Sequence, residues 1–301
     1  MIENRTLLAA FMILIYAAII GFTDNFLRVI AEEAGLWQFH ATRSAMALLI
    51  LGFVALPLGL RLRPVNLPSV VARSLLHGLA MVIYFGALAF LPVALVAAGL
   101  FTAPVFVLLI SRYAYGEGIG VWGIGAVGLG FAGAVLVLGP EAWAGASLPA
   151  LLPVIAGALY ALGNVATRKW CAQESAETLL AGFFAALGVI GLIGMVVLVL
   201  APMVAVPGTE GFLTRGGVWP TAGFWFWTFV QAAGSLLAVG MMVRAYQIAE
   251  ATLVSVFEYV ILPASALWSW VIWGEVLTTA AMAGMAMIVA AGVMIAVSRP
   301  D

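Results

Sequence analysis

Apolar runs of about 20 residues, long enough to cross a bilayer, follow one another along the whole chain. Short segments marked by Pro, Gly and charge separate them: Arg61-Leu62-Arg63-Pro64, Gly116-Glu117-Gly118 and Gly139-Pro140-Glu141. The pattern predicts ten membrane-spanning helices, at 7–30, 36–58, 67–91, 93–113, 119–138, 148–169, 178–201, 221–246, 251–273 and 278–297. The longest break, 202–220, holds Gly and Pro but does not read as a domain linker.

One stretch of this pattern occurs twice. Residues 87–117, ALAFLPVALVAAGLFTAPVFVLLISRYAYGE, return as 245–275, AYQIAEATLVSVFEYVILPASALWSWVIWGE. A shift of 158 lays Ala87 on Ala245, Leu95 on Leu253, and Gly116-Glu117 on Gly274-Glu275. Pro104 and Pro263 miss this register by one residue, which leaves the equivalence of the two kinks open. The expected fold is all-α integral membrane, with ten transmembrane helices as two inverted five-helix repeats, 1–140 and 148–298. Five spans per repeat is an odd number, so the second repeat enters the membrane upside down relative to the first.

Composition removes the other broad classes. The chain is 65% apolar and 8% charged, against roughly half and a quarter in soluble domains. A net charge of -1 offers no basic surface for nucleic acid. One cysteine and two histidines supply neither an internal disulfide nor a Cys/His zinc cluster. No cofactor or metal is expected. The first apolar run has no small-residue cleavage site and continues into Asp24, so it reads as a retained span.

An even number of spans puts both termini on one side. Arg5, Arg61, Arg63, Arg73, Arg112, Arg168, Lys169, Arg244 and Arg299, nine of the twelve basic residues, fall on that side. By the positive-inside rule it is the cytoplasm of a bacterial-type inner membrane. Glu117 then faces the cytoplasm and Glu275 the outside.

Ionisable groups inside the bilayer cost about 2.5–3.5 kcal/mol each on insertion scales and by default serve a function. Here they are Asp24, Arg43, Arg73, His77 and Glu258. Helical rise sorts them by depth: Asp24 and Arg43 toward the outside, Arg73 and Glu258 toward the inside, His77 near the midplane. The expectation is one charge pair at each mouth of a central cavity, Asp24 with Arg43 and Arg73 with Glu258, made on closing and broken on opening. Permanent structural bridges are the plainer alternative. Glu258 could also carry a proton and couple transport to a proton gradient, and His77 could do the same. For a lone histidine a packed, satisfied core position is the commoner case.

Helical spacing extends these polar faces. Arg73, His77 and Tyr84 share one face of the third span. The 158 shift lays Arg73 on Gln231 and His77 on Ser235, which share a face of the eighth span with Met242. Tyr160, Asn164 and Thr167 line the sixth span, and Thr102 precedes Pro104 in the fourth. Trp37, Trp122, Trp143, Trp219 and Trp273 sit near span ends, as an interfacial belt requires. Tyr84, Tyr259 and Trp268 lie deeper and could stack on a substrate or simply pack. In the fifth and tenth spans, Gly128/Ala132, Gly130/Ala134, Ala286/Ala290 and Gly292/Ala296 let backbones approach closely, within the chain or in a homodimer.

These residues resemble the EamA-type family of the drug/metabolite transporter superfamily. The resemblance rests on LFTAPVFVLLISRYAYGE followed by GLGFAGAVLVLGP, and on VSVFEYVILPASALWSWVIWGE followed by a Gly/Ala-rich last span. It implies ten helices in two repeats, a central cavity, peripheral fifth and tenth spans, and secondary active transport of a small metabolite. The Asp24 region with Arg43 also resembles carriers of S-adenosylmethionine or riboflavin. The expected function is export of a small polar metabolite, an amino acid or related compound, by alternating access. Import of S-adenosylmethionine or riboflavin is the alternative, and a structural or sensory membrane protein is the reading outside transport. No Walker motif or Ser/His dyad in register argues for a pump or an enzyme. The partners are a small-molecule substrate and the lipid bilayer, with no nucleic acid, and the protein is a monomer or a homodimer.

Overall fold

The structure is a computed structural model and describes residues 2–91, 93–139, 148–204 and 206–297. Pro140, Glu141, Trp143 and Arg299 lie outside the described residues. Among the described residues ten helical segments are long and apolar enough to cross a membrane, and together they form an all-α bundle. Thirteen α-helices among the described residues build them. They are α1 Ile2–Asp24, α2 Leu27–Glu33, α3 Leu36–Leu58, α4 Leu67–Ala87, α5 Val93–Leu100, α6 Ala103–Tyr115 and α7 Val121–Leu138, then α8 Leu151–Lys169, α9 Ala176–Leu200, α10 Ala222–Ile248, α11 Ala251–Glu258, α12 Ile261–Trp273 and α13 Thr279–Val297.

Four spans depart from the expected continuous helices. The first breaks at Asn25-Phe26, between α1 and α2. The third stops at Ala87, and the Ala89, Phe90 and Leu91 amides then bond the Gly86 and Ala87 carbonyls as turns. The fourth and ninth are each two helices with a two-residue break, Phe101-Thr102 and Tyr259-Val260. Here the structure resolves the proline offset. Under the 158 shift α5 lies on α11, α6 lies on α12, and the caps Gly116 and Gly274 coincide. A helix leaves the first four N–H groups without intrahelical acceptors, so proline is tolerated throughout the first turn. Pro104 and Pro263 occupy neighbouring positions in that turn, and the break stays in register although the prolines do not.

Caps fix the helix ends. Asn66 Oδ1 accepts from the Ser69 amide at 3.2 Å, and Ser175 Oγ accepts from the Thr178 amide at 3.1 Å. Gly116 and Gly274 end α6 and α12 with φ 66° and 69°, a left-handed conformation that a side chain disfavours.

Packing partners exchange between the halves. Helix α1 packs on α10, as α4 does on α8; α1 also packs on α11 and α12, as α8 does on α5 and α6. Helix α3 packs on α9, and α7 on α13. The last contact accounts for part of the small-residue pattern. An added Cβ on Gly133 would lie 2.7 Å from the Gly284 carbonyl oxygen, and one on Gly284 would lie 2.5 Å from that of Gly133. The closest approach is thus at Gly133 and Gly284, neither of them among the expected pairs. Gly130 packs against Tyr259, whereas Ala132, Ala286 and Ala290 face outward. Large apolar side chains such as Phe53, Leu56 and Leu200 cover the outside, the arrangement a lipid solvent favours.

Candidate functional site

A buried polar network runs through the middle of the bundle. His77 on α4 is its hub: Nδ1 lies 3.2 Å from the Arg73 carbonyl oxygen, and Nε2 lies 3.0 Å from Asn164 Oδ1 on α8. Asn164 Nδ2 donates to Tyr246 Oη on α10 at 3.0 Å. Tyr160 Oη donates to Met242 Sδ at 2.9 Å and reaches Glu258 Oε1 at 3.4 Å. Tyr16 Oη on α1 lies 3.5 Å from Tyr160 Oη. Five helices thus meet at one polar column whose members are all buried.

Glu258 reaches this column because it ends α11 at the break. Its repeat equivalent, Leu100, ends α5 and brings no charge. The duplication therefore supplies one acidic group at the centre.

The expected inner pair is not formed. Arg73 Nε donates to Thr167 Oγ1 at 2.9 Å and Nη1 to the Leu179 carbonyl at 3.2 Å, so it pins α4 to α8 and α9. The expected outer pair is not a direct ion pair either. Gln231 Nε2 donates to the Thr23 carbonyl at 2.9 Å and to Asp24 Oδ1 at 3.3 Å, pinning α10 to α1. Arg43 instead faces the rings of Phe39 and Phe85, at 5.0 and 5.8 Å from their centroids. Arg73 and Gln231, matched by the repeat, each tie a helix of one half to a helix of the other.

Other expected residues divide. Ser235 is buried on the α10 face with Gln231. Tyr84 is half-buried and meets Phe85 edge-on. Thr102 Oγ1 donates to the Gly99 carbonyl at 2.6 Å and closes the α5–α6 break. Tyr259 packs against Gly130 and Ile288, and Trp268 Nε1 donates to the Ala18 carbonyl at 3.0 Å. These two aromatics pack and do not join the polar column.

The sequence reading passed over Tyr16, Tyr246 and His40. Tyr246 and His40 lie near span ends and look interfacial, yet both are fully buried. Tyr16 alone carries a signal, since it is the one polar side chain in the apolar run 7–22 of the first span.

Matched locks close the two ends of the bundle. At one end Lys169 Nζ meets Glu117 Oε1 at 2.6 Å and lies 5.1 Å from the Tyr115 ring. At the other Arg28 Nη1 meets Glu275 Oε1 at 3.2 Å and stacks 3.7 Å over Trp273. Tyr115 and Trp273, like Glu117 and Glu275, are 158 apart, and Arg28 and Lys169 are 141 apart. The same 141 relates Glu33, which accepts from the Thr221 amide at 3.0 Å, to Glu174, which accepts from the Asn66 amide at 2.6 Å. A surface groove beside Gly52, Leu56 and Arg63 follows α3 on the outside of the bundle. No group of three or more metal-ligating side chains occurs among the described residues.

Comparison with known proteins agrees with this arrangement. A crystal structure with 20% sequence identity covers 98% of both chains with a TM-score of 0.77, which fixes the fold. The pseudopaline exporter CntI of Pseudomonas aeruginosa is 27% identical over 292 residues, 94% of each chain. A riboflavin transporter of Rhizobium johnstonii is 27% identical over 231 residues, 74% of this chain and 68% of that one. Residues 7–139 match the EamA-like transporter family. The first half of the chain thus matches an EamA-like transporter domain, and the relatives it resembles over most of its length are named as transporters.

Proposed function

We propose that the protein is a secondary active transporter that exports a small polar metabolite, an amino acid or related compound, by alternating access. Its two units, 1–140 and 148–298, insert in opposite senses, with both termini in the cytoplasm of a bacterial-type inner membrane, as monomer or homodimer. The observation that carries this reading is the buried polar column, to which α1, α4, α8, α10 and α11 all contribute. Polar groups at bilayer depth are expensive unless they serve a path or a site. The matched end locks support the two-state part: each ties a basic residue near the end of one span to a corner of the other half, so each can open while its counterpart stays shut.

Glu258 is the coupling residue in this reading, since a carboxyl group at the centre of the column can take up and release a proton. The resemblance to a riboflavin transporter favours a second reading, import of a vitamin-like or cofactor-like solute such as riboflavin or S-adenosylmethionine. Purified protein in liposomes, assayed for uptake and efflux of amino acids, S-adenosylmethionine, riboflavin and amines with and without a pH gradient, decides between them. Flux of amino acids out of the cytoplasmic-equivalent side supports export, and flux of riboflavin alone supports the second reading. Absence of flux for every solute of the panel favours the structural or sensory reading.

A further inference from the structure

The outer half of the bundle holds a second polar group that the column does not use. His40 and Arg43 on α3 and Thr228 and Gln231 on α10 are 0%, 5%, 0% and 1% exposed. Both ring nitrogens of His40, Nε of Arg43, Oγ1 of Thr228 and Oε1 of Gln231 have no protein hydrogen-bond partner. Buried polar groups are nearly always paired, and an unpaired one costs about 1–3 kcal/mol. Several such groups on two packed helices call for a common explanation.

Their geometry supplies one. Phe85 brings His40 and Arg43 together, with its ring 5.4 Å from the imidazole and 5.8 Å from the guanidinium. Phe39 holds the same guanidinium at 5.0 Å. Aromatic neighbours steady the cation without consuming its N–H donors. The fork that pairs bidentately with an oxyanion is thereby left free. Asp24 is half-buried nearby and receives only Gln231 Nε2 on one oxygen. Two opposite charges at this depth gain little while they stay apart, and a solute with an anionic and a cationic end satisfies both.

We propose that Arg43, His40 and Asp24 form the receptor for a zwitterionic solute, Arg43 and His40 taking its carboxylate and Asp24 its ammonium group. The assignment rests on the carrier reading for transport but not for binding. It favours solutes with an amino-carboxylate end, S-adenosylmethionine included, over riboflavin, which has no carboxylate. An aminophosphonate presents the same oxyanion chemistry to Arg43, and the experiment separates the two.

The test uses the purified full-length protein and thermal stabilisation by ligand titration. The probes are leucine, tryptophan and lysine, each with its amide, its des-amino acid and its aminophosphonate analogue. For the wild type, at least one amino acid binds about 10- to 100-fold more tightly than its amide, the range for one charged hydrogen bond. Arg43→Gln removes that difference, Arg43→Lys restores part of it, and Asp24→Asn removes the preference for the amino acid over its des-amino analogue. Tighter binding of the aminophosphonates assigns the anionic end to a phosphonate or phosphate and overturns the carboxylate. If Arg43→Gln does not fold, His40→Gln decides, and is expected to lower the acid-to-amide ratio at least about threefold. Unchanged discrimination in the folded variant, or no stabilisation by any zwitterion, overturns the proposal. Arg43-dependent binding without flux in liposomes removes the carrier reading alone, and flux of solutes indifferent to charge removes the receptor alone.

Discussion

Replacing Gly163 by alanine tests the central column most directly. The added Cβ would sit 2.2 Å from His77 Nδ1 and 2.3 Å from Cε1. The ring has to retreat by about 1 Å to restore ordinary contact. It is not free to do so. Asn164 and the Arg73 carbonyl hold its two nitrogens, Tyr160 stands edge-on at 5.3 Å, and Phe183 closes the far side at 6.3 Å. Overpacking costs about 1–3 kcal/mol, and losing the Asn164 contact adds about 1 kcal/mol or more. The sum, about 2–4 kcal/mol, corresponds to a fall in apparent melting temperature of about 3–6 °C for a protein of this size. His77→Ala alone is also destabilising, because it opens a cavity and strips Asn164 of a partner. In the double variant the new methyl group enters the space that the imidazole leaves. Melting curves of the four proteins in one detergent therefore should show the double variant less damaged than the sum of the singles, by more than about 1 kcal/mol. Strict additivity would refute the contact and with it the packing of α4 on α8 at this level.

Three further outcomes are expected. Glu258→Gln keeps a polar partner for Tyr160 but cannot exchange a proton, so solute exchange persists while its response to a pH gradient in proteoliposomes disappears; a response that survives rules out Glu258 as the coupling site. With Cys171 changed to serine, single cysteines at Glu117 and Glu275 react with membrane-impermeant maleimide from opposite sides of the bilayer, and reaction from the same side would end the inverted arrangement. Burial pushes the Cys171 thiol up to about 11, with Arg73 lowering it and Glu174 raising it. The neutral thiol is then the form the fold favours, so its stabilising contribution is complete below the unfolded value of 9.0 and lost as pH rises toward 11. Cys171→Ser should flatten that alkaline loss in melting temperature, and no change would show that the thiol is not held in its neutral form.

The ten spans were legible because a bilayer asks for one simple thing, about 20 apolar residues at a time. The duplication was legible in Gly116-Glu117 and Gly274-Glu275, which close equivalent corners. The proline offset looked like a flaw in that equivalence and was not, since the whole first turn of a helix is indifferent to a missing N–H. Charge pairing was where the sequence misled. Depth alone suggested Arg73 for Glu258 and Asp24 for Arg43, but depth says nothing about azimuth around each helix. Arg73 points to Thr167 and Leu179, and Glu258 points to Tyr160.

What the sequence determined by itself is the class, the number of spans and the internal repeat, because each follows from composition and spacing along one dimension. Only the tertiary structure decided that His77, Asn164, Tyr160, Tyr246, Tyr16 and Glu258 meet in one column. It alone also left both ring nitrogens of His40 and Nε of Arg43 buried without a hydrogen-bond partner, and set Arg28 and Lys169 on matched locks at the two ends. The physical reason is that lipid-facing and core-facing positions of a membrane helix are both apolar, so hydropathy does not give the rotation of each helix. That rotation comes from close packing at glycines such as Gly133 and Gly163, a property of pairs of helices and not of any one of them.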